Sequence, residues 1–240
     1  MSRICVLSLC AVLALTPLLS AQGRKVALLV GINDYGKSGL GKLKCAEKDA
    51  TDVRDLLVNK LGYDKRDVYL LTDAEALAQK KTSLLPTAEN IRRTLENLLE
   101  DLAPEDTLFL GFSGHGIHVK EIEKGKLADR GLYFCPSDAH TTITEGKLEK
   151  PEKLLSVTEL FGLLKDKCKA ELKILVMDTC RDDGTRNESV TRPVVPKPEG
   201  GTVAFFSCSE GQKANENEKA GRGFFTDSLI RGLSGEAADR

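Results

Sequence analysis

The sequence is short of most features that mark out other protein classes. Its 35 basic and 36 acidic residues leave a net charge of −1, so neither a nucleic-acid surface nor an acidic solvating tail is indicated. Seven cysteines contain no C-x-x-C pair, which removes the basis for a zinc ribbon or a thioredoxin-type site. Tryptophan is absent and only three histidines are present, so any chemistry that needs an imidazole has few residues to draw on. No apolar run approaches the roughly 20 residues of a membrane-spanning helix. No internal repeat, low-complexity tract or linker divides the 240 residues, a length that one core can serve.

What is present begins at the N-terminus. Arg3 precedes an apolar run from Ile4 to Leu15, then Thr16-Pro17, Leu18-Leu19 and the small pair Ser20-Ala21. That order is a secretory signal over residues 1–21, with cleavage near Ala21 despite the large Leu19 at the −3 position. The expectation is a secreted or periplasmic chain of residues 22–240, forming one domain with no stable membrane anchor. Cys5 and Cys10 leave with the signal, and Cys45, Cys135, Cys168, Cys180 and Cys208 stay. An odd number in an oxidising compartment implies at least one free thiol. Spacing does not fix how the others pair. The end at Arg240, directly after a helical pattern, fits a natural terminus or a truncated one.

From residue 25 onward, apolar runs of strand length alternate with helical patterns. Val26 to Val30 is continuously apolar, as a strand buried on both faces requires. Ala46, Ala50, Val53, Leu56, Leu57 and Leu61 recur at helical spacing. Asp67 to Leu71 reads as a second strand. Thr87 can cap a helix whose inner stripe is Ile91, Leu95, Leu98, Leu99 and Leu102. Further strands are predicted over Thr107 to Phe112, Leu132 to Cys135 (short, with membership of a hairpin as an alternative), Leu172 to Met177 and Val203 to Phe206. Val157 to Leu164 and Phe224 to Leu233 are helical, and 181–201 is a polar loop rich in Pro and Gly. Such alternation predicts an α/β protein with a mostly parallel sheet covered on both sides.

Ligands of open α/β sheets sit beyond the carboxyl ends of the strands. One strand delivers Ser113-Gly114-His115-Gly116 there, and another delivers Asp178-Thr179-Cys180-Arg181. A free thiol, with a pKa of about 8.5, is mostly protonated at neutral pH. A neighbouring imidazole can take its proton and later return one to a leaving amine. His115 and Cys180 are therefore the candidate base and nucleophile. The amides of Gly116 and Cys180 are candidates for an oxyanion hole. His118 and His140 are expected to be surface residues.

With these residues in hand, the sequence resembles the caspase-homologous cysteine peptidases, and within them the bacterial metacaspase-like branch. The resemblance is carried by VALLVGINDY (Val26 to Tyr35), the Cys45 to Ala50 segment, FSGHG (Phe112 to Gly116) and DTCRD (Asp178 to Asp182). FSCSEGQ (Phe206 to Gln212) and GFFTDSLIRGL (Gly223 to Leu233) extend it. It implies a three-layer α/β/α caspase-like fold and a thiol protease acting on polypeptides, with His115 as base and Cys180 as nucleophile. It also implies Asp49 and Asp178 as acidic walls of an S1 pocket, and so cleavage after Arg or Lys. Buried carboxylates favour a cationic P1 side chain, in agreement. Lys48 stands where the family often has Asn, and is expected to neutralise part of that pocket. No cofactor is required by this chemistry. Calcium activation is an open alternative, because no EF-hand pattern is present and scattered carboxylates are not diagnostic. Substrate identity and oligomeric state are not encoded legibly.

Three other readings compete. Gly31 to Ser38 matches G-x-x-x-x-G-K-S, but a phosphate cradle needs a helix at Lys37-Ser38, and Gly39 and Gly41 follow instead. Gly111-Phe-Ser113-Gly-His115 imitates a nucleophile elbow with His in place of the last Gly. A caspase-like domain can also serve as an inactive scaffold, although both dyad residues are present here. The basic residues of the 181–201 loop, with Arg186 foremost, make it a candidate for self-cleavage.

Overall fold

The computed structural model describes residues 23–36, 38–179, 198–207, 216–217 and 221–236. Strand β1 (Lys25–Gly31) leads through a loop to α1 (Ala46–Asn59), followed by β2 (Val68–Leu71), α2 (Asp73–Gln79) and α3 (Ala88–Asp101). Next come β3 (Thr107–Gly114), then β4 (Gly116–Glu123) and β5 (Lys126–Phe134), and α4 (Val157–Asp166). The chain continues with β6 (Leu172–Thr179), β7 (Thr202–Phe206) and α5 (Phe224–Arg231). The central sheet is ordered β7-β6-β3-β1-β2, and every pairing in it is parallel.

Side chains alternate across a strand, and the apolar strands use both faces. Val26, Leu28 and Val30 of β1, with Leu108, Leu110 and Phe112 of β3, pack against α3 and α4. Ala27 and Leu29, with Phe109 and Val176, pack against Ala50, Val53 and Leu57 of α1 and Leu229 of α5. The result is three layers, α/β/α. Thr87 caps α3 as expected, its Oγ1 accepting from Asn90 N at 3.3 Å.

Two elements exceed the sequence reading. The expected strand at Leu132 to Cys135 is the tail of a long antiparallel β4–β5 hairpin, extended by Leu155–Ser156. Its outer residues are polar, so they carry no apolar run. Helix α2 buries only Ala76 and therefore shows no stripe. It is fixed instead by Thr72, whose hydroxyl accepts from Glu75 N at 3.0 Å. Among the described residues, no helix is long and apolar enough to cross a membrane. Cys45, Cys135 and Cys168 are buried thiols that are not bonded to one another. Burial pushes the Cys135 thiol up to about 12.

Candidate active site

Strands β3 and β6 are neighbours, with Ser113 paired to Asp178 and Gly114 paired to Thr179. Strands β3 and β6 therefore end side by side at one edge of the sheet. The residue that follows β3 is His115. Cys180, which follows Thr179, lies outside the described residues, as do Arg186 and Cys208.

His115 is held mainly through its backbone. Its N–H donates to Tyr35 Oη at 2.6 Å, and its carbonyl accepts from Cys135 N at 2.9 Å. Its ring lies 4.8 Å from that of Tyr35, tilted by 49°. Nε2 is 2.8 Å from the Gly41 carbonyl oxygen. A carbonyl can only accept, so Nε2 carries hydrogen and the neutral ring keeps its lone pair on Nδ1. Gly114 explains half of the glycine pair around this histidine. A Cβ there would stand 2.5 Å from Tyr35 Oη and 3.2 Å from the Phe134 ring.

The acid pair is built differently. Asp49 on α1 is 3% exposed and Asp178 at the end of β6 is 8% exposed. Gly223, at the N-terminus of α5, sits between them. A Cβ at Gly223 would lie 2.9 Å from Asp178 Oδ2 and 3.0 Å from Asp49 Oδ2. The two oxygens are thus no more than about 6 Å apart, the sum of those distances, close enough for the charge of Asp178 to bear on Asp49. Gly223 N–H donates to both Asp49 oxygens at 3.1 and 3.2 Å, and Thr226 Oγ1 donates to Asp178 Oδ2 at 2.7 Å. Burial, reinforced by the charges of Asp178 and Asp52, pushes the Asp49 carboxyl up to about 7 against the pull of the Gly223 amide and Arg222. A cavity of about 20 Å³, lined by Asp49, Gly111, Ser113, Asp178 and Thr226 among others, adjoins the pair. That volume is about the size of one water molecule.

Several expectations change here. Lys48 does not neutralise the pair: its Nζ turns to Asp52 at 2.5 Å, one helical turn along α1. Asp52 also binds Arg222, at 2.8 Å to Nε and 2.7 Å to Nη2, and Arg222 Nη1 reaches Asp227 at 3.0 Å. Arg222 is therefore the cation whose charge bears on Asp49. His118 is buried, with Nε2 2.8 Å from Asp129 Oδ1 inside the hairpin, because its strand turns it inward. His140 is half-buried and meets Glu149 at 2.8 Å. Ser113 is buried within β3 rather than perched on a strand-to-helix turn. The first helix after Gly31 begins only at Ala46 rather than at Ser38, and its Glu47 N–H is taken by Asn33 Oδ1 at 3.2 Å, so the loop does not run directly into a helix as a phosphate cradle requires. Among the described residues, no group of three or more His, Cys, Asp or Glu side chains is arranged to hold a metal ion.

Tyr35, Gly41, Gly223 and Thr226 escaped the sequence reading as site residues. Tyr35 and the α5 residues fall within the stretches that carry the resemblance, VALLVGINDY and GFFTDSLIRGL. Gly41 carries no signal, because only its backbone is used.

A parallel sheet sandwiched by helices, with a histidine at one strand end and a buried carboxylate pair beside it, defines a caspase-like α/β domain. The chain belongs to the caspase-domain family, whose model matches residues 24–240. Metacaspase-3 of Arabidopsis thaliana is 36% identical over 134 residues, covering 56% of this chain and 34% of the plant protein. Metacaspase-1B of Aspergillus fumigatus is 38% identical over 104 residues, covering 43% of this chain and 24% of the fungal one. The chain thus matches between 24% and 34% of the length of these curated relatives. A crystal structure of a Geobacter sulfurreducens protein shares the fold, with a TM-score of 0.58 at 18% identity over 89% of this chain and 83% of that one.

Proposed function

We propose that this chain is a cysteine-type endopeptidase that uses His115 as base and Cys180 as nucleophile to cleave polypeptides after Arg or Lys. The observation that carries the reading is the register of β3 and β6, in which the residues just before His115 and Cys180 are paired. Parallel neighbours run about 4.8 Å apart, so the chain leaves both strand ends close together.

In this reading His115 Nδ1 takes the thiol proton of Cys180, and the sulfur attacks the peptide carbonyl carbon. A C–S bond forms and the carbonyl π electrons move to oxygen, where the amides of Gly116 and Cys180 receive the charge. As the intermediate collapses, the C–N bond breaks and the amine leaves with the proton from Nδ1. Water, deprotonated by the same nitrogen, then splits the thioester, and the thiol regains its proton. Asp49 and Asp178 supply the negative wall for a P1 guanidinium or ammonium.

The test is hydrolysis of Arg-, Lys- and Asp-ended fluorogenic peptides under reducing conditions, with and without calcium. Wild type should cut the first two, and Cys180→Ala should cut neither. His115→Ala should lose about 10³-fold in rate. Absence of cleavage in wild type, or cleavage undiminished in Cys180→Ala, would end the reading and leave a binding scaffold.

A further inference from the structure

The first turn of α5 reaches across the chain to hold both carboxylate heads. Thr226, 3% exposed, donates to a carboxylate 48 residues away, while Gly223 N–H holds Asp49. The terminal torsion of an aspartate is broad, so burial alone does not aim its oxygens. A helical threonine has few χ1 rotamers open to it, and here its hydroxyl takes Asp178 Oδ2 at 2.7 Å. Among the described residues, no donor reaches Oδ1, the oxygen that can then accept from an incoming cation. No side chain at position 223 can intervene, because its Cβ would press on both acids.

We propose that Thr226 is a specificity-determining positioning residue of the S1 pocket, fixing Asp178 through Oδ2 so that Oδ1 meets the basic P1 side chain. The assignment rests on the peptidase reading for its meaning, but not for its measurement. A cation held by a fixed oxygen loses less freedom on binding than one held by a rotating carboxylate. Affinity for the P1 group should therefore carry the effect, while the chemical step should not.

Two measurements on the full chain test this. In peptide hydrolysis, Thr226→Val should raise KM for an Arg-ended peptide about tenfold with kcat within about twofold, and Thr226→Ser should restore wild-type values. In calorimetry on Cys180→Ala protein, agmatine serves as the probe for the arginine side chain. Its Kd should rise about tenfold when Thr226→Val is added. An unchanged KM and Kd in Thr226→Val would overturn the proposal. A lowered KM would also overturn it, since the hydroxyl would then be competing with the substrate. If Thr226→Val does not fold, Thr226→Ser still decides, because a tenfold loss of agmatine affinity there contradicts a role for the hydroxyl. If wild type cuts no basic peptide, the peptidase reading fails, while agmatine binding that depends on Thr226 still upholds the pocket. Agmatine binding to neither protein overturns the pocket assignment itself.

Discussion

The His115 corner and the acid pocket sit at the same strand ends, yet they are held in opposite ways. His115 is half-buried and fixed by its backbone and by the far nitrogen of its ring. Asp49 and Asp178 are enclosed, and donors from a single turn of α5 grip their heads. A base must exchange protons and turn a lone pair toward its partner, so it is tethered from behind. A pocket that selects charge must be dry, since water weakens the attraction between ions. Dryness has a cost, visible in the carboxyl of Asp49 being pushed up to about 7.

The sharpest way to break this comparison is to neutralise the two acids separately. Asp178→Asn should cut the preference for an Arg-ended over a citrulline-ended peptide about 100-fold, because the pocket loses its aimed charge. Asp49→Asn should cost about tenfold at pH 8 and almost nothing at pH 6, where burial already keeps that carboxyl protonated. The ratio of kcat/KM values at the two pH values decides it. Equal losses in both variants at both pH values would show that the acids act as one unit.

A smaller effect should appear in stability. Asp49 has a folded-state pKa of about 7 against an ordinary value of 3.8, so between these pH values the folded chain binds more protons than the unfolded chain. Its contribution is then fully favourable below about pH 4 and is lost as pH rises through 7. Asp49→Asn removes that dependence while keeping an acceptor for Gly223. Urea unfolding should find the variant about 2 kcal/mol more stable than wild type at pH 8, with the gap closing as pH falls and the two equal only below about pH 4. A variant less stable at pH 8 would show that the charged form is well solvated.

The fold was largely legible because its strands are buried on both faces and so appear as unbroken apolar runs, such as Val26 to Val30. The β4–β5 hairpin was only half legible, since Lys120, Glu121 and Glu123 give its outer end no such signal. At the site, His115 stood out by rarity and by its glycines. Asp49 could be suspected only through resemblance, because alternating Glu47, Lys48, Asp49 and Asp52 look like a solvated helix face. Lys48 misled for the same reason: sequence adjacency put it beside Asp49, whereas the helix turns it toward Asp52. Thr226 and Tyr35 act over 48 and 80 residues of chain, and no local pattern encodes such distances.

Tyr35 offers the smallest and most discriminating measurement on the other side of the comparison. Tyr35→Phe keeps the ring that packs 4.8 Å from His115 but removes the oxygen that accepts from His115 N–H. The imidazole is still tethered to the Gly41 carbonyl, so its tautomer should survive. If the corner is held redundantly, kcat should fall only about fivefold, with KM and the pH profile unchanged. A fall of 10³ would place the tyrosine hydroxyl among the groups that act on the reaction itself. An unaltered kcat would show that the carbonyl tether suffices, and that the hydroxyl serves the close approach at Gly114 alone.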